Sequence, residues 1–274
     1  MPTPRQLVRR LWVPLLAGFA LLGIETAGAP IASAAEHRLL PDITTLRIDS
    51  NDLVVHPVGT ETLLRLSNRI ANRGRGPLEI HPTGRSRNCD GDGDPSNDRD
   101  ALQTVFLDTN GDHVFERGVD TASRHFRFGC ERYDPHAHHW NVFDLARYEL
   151  RRLHSGRAVA KTTKVAFCTV DTRQVFPRLP GSPNSGYYPR GGCDEHSTLG
   201  VSVGWEDEYY YGLPGQELNV TGVKAGRYCL VSTADPDNLL RESDNSNNAR
   251  RTRIALRPAK REAKVLPGGC RLGG

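Results

Sequence analysis

Six cysteines (Cys89, Cys130, Cys168, Cys193, Cys229 and Cys270) are present, yet the sequence contains no C-x-x-C pair. That absence argues against a zinc ribbon or a thioredoxin-type redox site. A membrane-spanning stretch is also missing. The apolar run "LWVPLLAGFALLG" falls short of the roughly 20 residues a spanning helix needs, and nothing after it is as apolar. Charge of one sign is lacking too. The formal balance is +4, and it falls to +2 once Arg5, Arg9, Arg10 and Glu25 are set aside with residues 1–34. Such a chain offers no electrostatic case for nucleic acid or an anionic membrane. Neither an internal repeat nor a domain linker is visible, so one domain is expected.

What is present begins with an export signature. Arg5, Arg9 and Arg10 precede the apolar run, and Ala32-Ser33-Ala34 supplies small residues for cleavage. Residues 1–34 therefore read as a signal peptide, 35–274 as the mature domain, and the protein as secreted. The other reading of this run is a retained membrane anchor. An even cysteine count in an exported chain favours three disulfides. Joining neighbours along the sequence gives Cys89–Cys130, Cys168–Cys193 and Cys229–Cys270, with other pairings open.

The mature chain reads as all-β. "TTLRIDSNDLVVHPV", "TLLRLSNRIANRGRGPLEIHP", "TKVAFCTV", "QELNVTGV", "GRYCLVSTA" and "RRTRIALRP" alternate apolar and polar residues between Gly, Pro and Asn punctuation. Short strands with frequent turns predict a single β-sandwich or barrel. Two stretches depart from the pattern: an acidic Gly/Asp-rich insertion over 84–125, and a Pro/Gly loop over 171–196. In the insertion, Asp108, Asn110 and Asp112 share the opening spacing of a calcium loop, as do Asp90, Asp92 and Asp94. The first set has His113 where such a loop needs Gly and no Glu at its end, so a solvated acidic hairpin is expected.

Potential metal chemistry concentrates in "DPHAHHWNVFDLARYEL", which holds His136, His138 and His139 beside Trp140. Imidazoles on one face of a strand are what a copper site with open positions requires. Further along, "KTTKVAFCTVDT" places Lys164 four residues before Cys168. "GWEDEYYYG" sets Asp207 and Tyr209 in a Gly-Trp-x-Asp-x-Tyr run, and "LLRESDNSNNARR" closes the pattern.

In this order, from about Leu46 to Leu256, these segments resemble the catalytic domain of the lysyl oxidase family. The resemblance implies a secreted copper amine oxidase on a β-sandwich. Such an enzyme deaminates primary amines, including lysine side chains of proteins, to aldehydes with release of hydrogen peroxide and ammonia. It implies a self-derived cofactor, lysine tyrosylquinone, from Lys164 and Tyr209, with copper on His136, His138 and His139. Asp207 is a candidate base, with a loop residue bonding its own backbone as the plainer reading. Glu242, Asp244, Asn247 and Asn248, completed by Asp52 and the carbonyl of Leu53, match the family's calcium loop; an Asx-rich turn is the alternative. The histidine segment departs from the family pattern. Anchored on Trp140 and "ARYEL", the three ligand positions fall on Ala137, His139 and Asn141. Either a β-bulge restores His136 and His138 to the site, or the chain is a non-catalytic extracellular binding module that has lost copper ligands.

Overall fold

The computed structural model describes residues 37–86, 88–89, 93–135, 138–162, 165–194, 197–270 and 272. The fold is all-β, a single sandwich stapled by disulfides. One layer is an eleven-stranded sheet whose main path runs Leu199–Val201, Leu78–Ser86, Asp98–Leu107, Ser123–Asp134, His139–Arg152, Gly226–Ala234, Ala249–Arg257 and Glu262–Val265. Smaller sheets contribute Ile43–Thr45, Asn68–Asn72, Trp205–Tyr209 and Arg173–Gln174, and separately Leu53–Val58, Glu61–Leu66 and Glu217–Asn219. All pairings are antiparallel.

The alternation in the sequence explains the layering. In Gly226–Ala234, Tyr228, Leu230, Ser232 and Ala234 point inward, and in Ala249–Arg257 the inward set is Thr252, Ile254 and Leu256. These side chains meet Ile43, Leu53, Val55, Leu64, Leu66 and Ile70 of the smaller sheets in one continuous apolar core. All three cysteine pairs joined by sequence proximity are disulfides in the structure: Cys89–Cys130, Cys168–Cys193 and Cys229–Cys270.

The acidic insertion is not loop throughout. Asp98–Leu107 is a ten-residue, largely buried strand of the large sheet, so the departure from β structure is narrower than the composition suggests. Its acidic flanks hide the alternation. Glu79 fastens the insertion from the neighbouring strand: its Oε2 accepts from Arg117 and from the Tyr188 hydroxyl, both at 2.7 Å. The Arg117 guanidinium also packs over Tyr187 at 4.5 Å.

At Asp108 the expected acidic turn is observed. The Asp108 oxygens accept from Gly111 N and His113 N, and Asp112 Oδ1 accepts from Val114 N. The carboxylates are thus used by the turn itself. Asp90 and Asp92 lie outside the described residues, and Asp94 caps Ser96 through its backbone N and hydroxyl.

The strand His139–Arg152 organises the site. It pairs with Ser123–Asp134, Val165–Phe167, Ala158–Lys161 and Gly226–Ala234. Its register slips between Val142, opposite Phe167, and Ala146, opposite Val165, where Asp144 takes φ 61°. This irregularity resets the strand's phase. It lies after the histidines rather than among them.

Candidate active site

A cavity of about 780 Å³ opens between the start of His139–Arg152 and the end of Trp205–Tyr209. His138, His139, Asn141, Asp207, Tyr209 and Val165 are among the residues lining it. On Trp205–Tyr209, Asp207 and Tyr209 are two residues apart and so share a face. The strand is entered through Gly204, whose φ is +79° and whose Cβ, if present, would sit 2.7 Å from the Phe176 carbonyl oxygen. Only glycine tolerates both conditions, which accounts for the Gly opening the run.

Tyr209 is held from two sides. Its ring meets Phe167 edge-on at 4.2 Å, and its hydroxyl oxygen accepts a hydrogen bond from the backbone N–H of Cys168. Burial, and next the negative charge of Asp207, raise its pKa well above that of an ordinary phenol. Cys168 is bonded to Cys193, and the Cys193 carbonyl accepts from Trp140 N at 2.8 Å. A single disulfide therefore connects the tyrosine's immediate support to the residue standing between His139 and Asn141.

Asp207 is 1 % exposed, and neither of its carboxylate oxygens meets a donor in good hydrogen-bond geometry. Burial drives its pKa well above the usual carboxylate range, with the backbone N–H of Val170 offsetting only part of the shift. Such a carboxyl has a raised proton affinity and can exchange a proton with a group beside it. Its neighbour Glu206 faces the other way and is buried against Arg173 at 2.6 Å.

The histidines are arranged differently from either sequence expectation. His138 is not on the strand: it occupies the preceding turn with φ 56°, a left-handed conformation. The turn cancels the alternation that would have sent it to the opposite face, so His138 and His139 line the same cavity. His139 Nε2 lies 3.2 Å from Asn141 Oδ1. In the tautomer that donates this hydrogen bond, Nδ1 keeps its lone pair. His136 and Ala137 lie outside the described residues, as does Lys164, although the next residue, Val165, lines the cavity. Among the described residues, no three His, Cys, Asp or Glu side chains are grouped so as to hold a metal ion. Two imidazoles suit copper in kind, the Asn141 amide oxygen is a poor copper donor, and a third imidazole would have to come from His136.

The calcium expectation divides. Glu242 accepts from Ile43 N at 2.6 Å and from Asn248 Nδ2 at 2.8 Å, and Asn247 Nδ2 donates to Asp42 Oδ1 at 2.8 Å. Asn247 Oδ1 and Asn248 Oδ1 are buried without a hydrogen-bond partner. Burial raises the Glu242 pKa to about 7. Orphaned amide oxygens beside a buried carboxylate fit a hard cation. Asp244 instead caps Ser246. Asp52 is engaged elsewhere, accepting from Asp49 N at 2.7 Å and facing Arg69 at 3.5 Å, and Leu53 begins a strand paired with Leu66. The N-terminal carboxylate hydrogen-bonded to this loop is Asp42, which the sequence reading did not name. Short Asx spacings carry no signal that distinguishes Asp42 from Asp52.

The model of the lysyl oxidase family matches residues 120–265, more than half of the sequence. The chain belongs to the lysyl oxidase family. Among its relatives, protein-lysine 6-oxidase of Gallus gallus is 35% identical over 122 residues, covering 44% of this chain and 27% of that protein. The Sus scrofa protein-lysine 6-oxidase is 34% identical over 128 residues, covering 47% of each. The Homo sapiens protein is 33% identical over 128 residues, covering 47% of this chain and 28% of the relative. The matched stretch spans less than half the length of each of these relatives. The family-model match, residues 120–265, includes the whole cavity wall from Asp134 to Gly215.

Proposed function

We propose that this chain is a secreted copper-dependent amine oxidase of lysyl oxidase type, acting on primary amines such as lysine side chains of proteins. One observation carries the reading: Tyr209, Asp207, His138 and His139 line a single cavity, beside the residue that follows Lys164. In this reading His139 and His138, with His136, would hold copper, and Lys164 and Tyr209 would be the precursors of lysine tyrosylquinone. Copper and that quinone would supply the electron sink by which an amine and water become an aldehyde and ammonia while dioxygen is reduced to hydrogen peroxide.

The chain's own side chains do the rest. Asp134, Asp194 and Glu208 on the cavity lining outnumber Arg190 there and would favour entry of a cationic ammonium. Asp207 would act as the base: as carboxylate it takes the proton that must leave the carbon next to the amine, and its raised proton affinity favours that transfer. Phe167 and the Cys168 N–H hold the Tyr209 ring in one orientation. At the remote loop, Asp42, Glu242, Asn247 and Asn248 would bind calcium and clamp the first strand to the last turn. Residues 1–34 would direct export.

The test is the mass of the peptides carrying Lys164 and Tyr209 after copper loading, together with amine-dependent peroxide release. A cross-linked pair and peroxide are expected. Two unmodified peptides and no peroxide with any primary amine would favour the second reading, a non-catalytic binding module. That reading draws on Asn141, whose amide stands where the family pattern has an imidazole.

A further inference from the structure

We infer that the pole of the sandwich remote from the amine cavity is an oxyanion-binding site that takes phosphate or sulfate groups. A cavity of about 390 Å³ lies there, with Arg152, Arg157, Thr221, Gly222, Lys224 and Tyr228 in its lining and no carboxylate. Elsewhere on the same sheet, cations are neutralised: Arg147 by Asp237 at 2.7 Å, Arg151 by Glu149 at 2.7 Å, and Arg257 by Glu262 at 3.0 Å. Among the described residues, Arg152, Arg157 and Lys224 form no ion pair with a carboxylate. The chain as a whole is only weakly basic, at +4, so this is a local concentration of charge rather than a general one.

The backbone assembles the three cations against their mutual repulsion. Arg152 N donates to Arg157 O at 2.9 Å, closing the turn that brings the two arginines together. Tyr228 stands opposite Arg152 in the sheet, and its hydroxyl donates to the Lys224 carbonyl at 2.8 Å, folding that loop back toward the strand end. Thr221 Oγ1 accepts from Thr62 N at 2.9 Å, which leaves its hydroxyl proton available for an acceptor. Two guanidinium forks, an ammonium and a hydroxyl without a competing acid form a donor set for a tetrahedral oxyanion.

Position gives the site its meaning. Arg152 and His139 are the two ends of one 14-residue strand, roughly 40 Å of extended chain. An anion held at one pole leaves the amine cavity at the other pole open. The oxyanion could be a free ion or an ester repeated along a polymer, and the same donors serve both.

Calorimetric titration of the mature chain at constant ionic strength separates these, with inorganic phosphate in one arm and a short linear polyphosphate in the other. Saturable binding is expected. Polyphosphate binding at least tenfold tighter than phosphate assigns the polymer, and equal affinity per site assigns the free ion. R152Q/R157Q/K224Q should weaken binding at least tenfold with an unchanged melting temperature, all three side chains being exposed. R178Q/R250Q/R251Q removes the same charge elsewhere on the surface and should stay within twofold of the parent. Failure of both anions to bind saturably, or equal loss in the two triple variants, overturns the inference.

Discussion

Two of the buried carboxyl groups in this sandwich, Glu79 and Asp207, meet opposite fates. Glu79, on Leu78–Ser86, is surrounded by donors: Tyr188 and Arg117 on one oxygen, and His81 Nε2 at 2.9 Å on the other. Burial alone would raise its pKa, but hydrogen bonds from His81, Arg117 and Tyr188 overcome it and bring the value down to about 2. Asp207, on Trp205–Tyr209, is as deeply buried and meets no good donor, and its pKa goes far up. The difference teaches that burial does not decide charge; the donors within reach do. Glu79 is a permanent anion that fastens the insertion. Asp207 is a carboxyl of raised proton affinity on a cavity wall.

Exchanging the two groups' properties is the sharpest test of that contrast. Asp207→Asn should lower amine turnover about 1,000-fold, and the melting temperature at pH 7 should hold, because burial already disfavours the charge that the amide removes. A variant that melts early yet turns over normally would place Asp207 with Glu79 as a fastener. Glu79→Gln should do the reverse, costing about 2–3 kcal/mol of stability by urea unfolding with turnover kept in the folded fraction.

The acid limb sharpens the same point. Glu79 has a depressed folded pKa, so its stabilisation is full above pH 4.5 and is lost as pH falls toward about 2. The loss is on the order of 3 kcal/mol, and it should vanish in Glu79→Gln. Cys168→Ser with Cys193→Ser should cost about 3 kcal/mol for a closed loop of 25-residue separation, with peroxide release falling further than the folded fraction does.

The smallest effect is the calcium response of Glu242. Its folded pKa is raised to about 7, so the folded state binds the extra proton and stability declines as pH rises from about 4.5 to about 7. Calcium should suppress that decline and raise the melting temperature at pH 8 by about 3 °C. Glu242→Gln should lose both the decline and the calcium response.

Much of the architecture is legible in local pattern. Period-two alternation marks Gly226–Ala234 and Ala249–Arg257, and the spacing of Asp207 and Tyr209 already puts them on one strand face. Sequence proximity also suffices for the three cysteine pairs. What stays hidden depends on backbone conformation or on distant contacts. The left-handed turn at His138 and the irregularity at Asp144 reset side-chain phase without leaving a residue signature. Asp98–Leu107 is masked by acidic neighbours. The contact of Asp42 is with Asn247, some 200 residues away, and the Glu79–Arg117–Tyr188 cluster joins three segments that no spacing relates.

The bond between Cys168 and Cys193 carries a consequence about timing. It joins the support of the Tyr209 hydroxyl to the N–H of Trp140, so the phenol and the imidazoles are held in fixed relation only once both thiols have been oxidised. While the chain remains in a reducing compartment, the two walls of the cavity lack this covalent link. Completion of the cavity is thereby coupled to oxidation of the two thiols, and until that bond forms its walls are joined by non-covalent contacts alone.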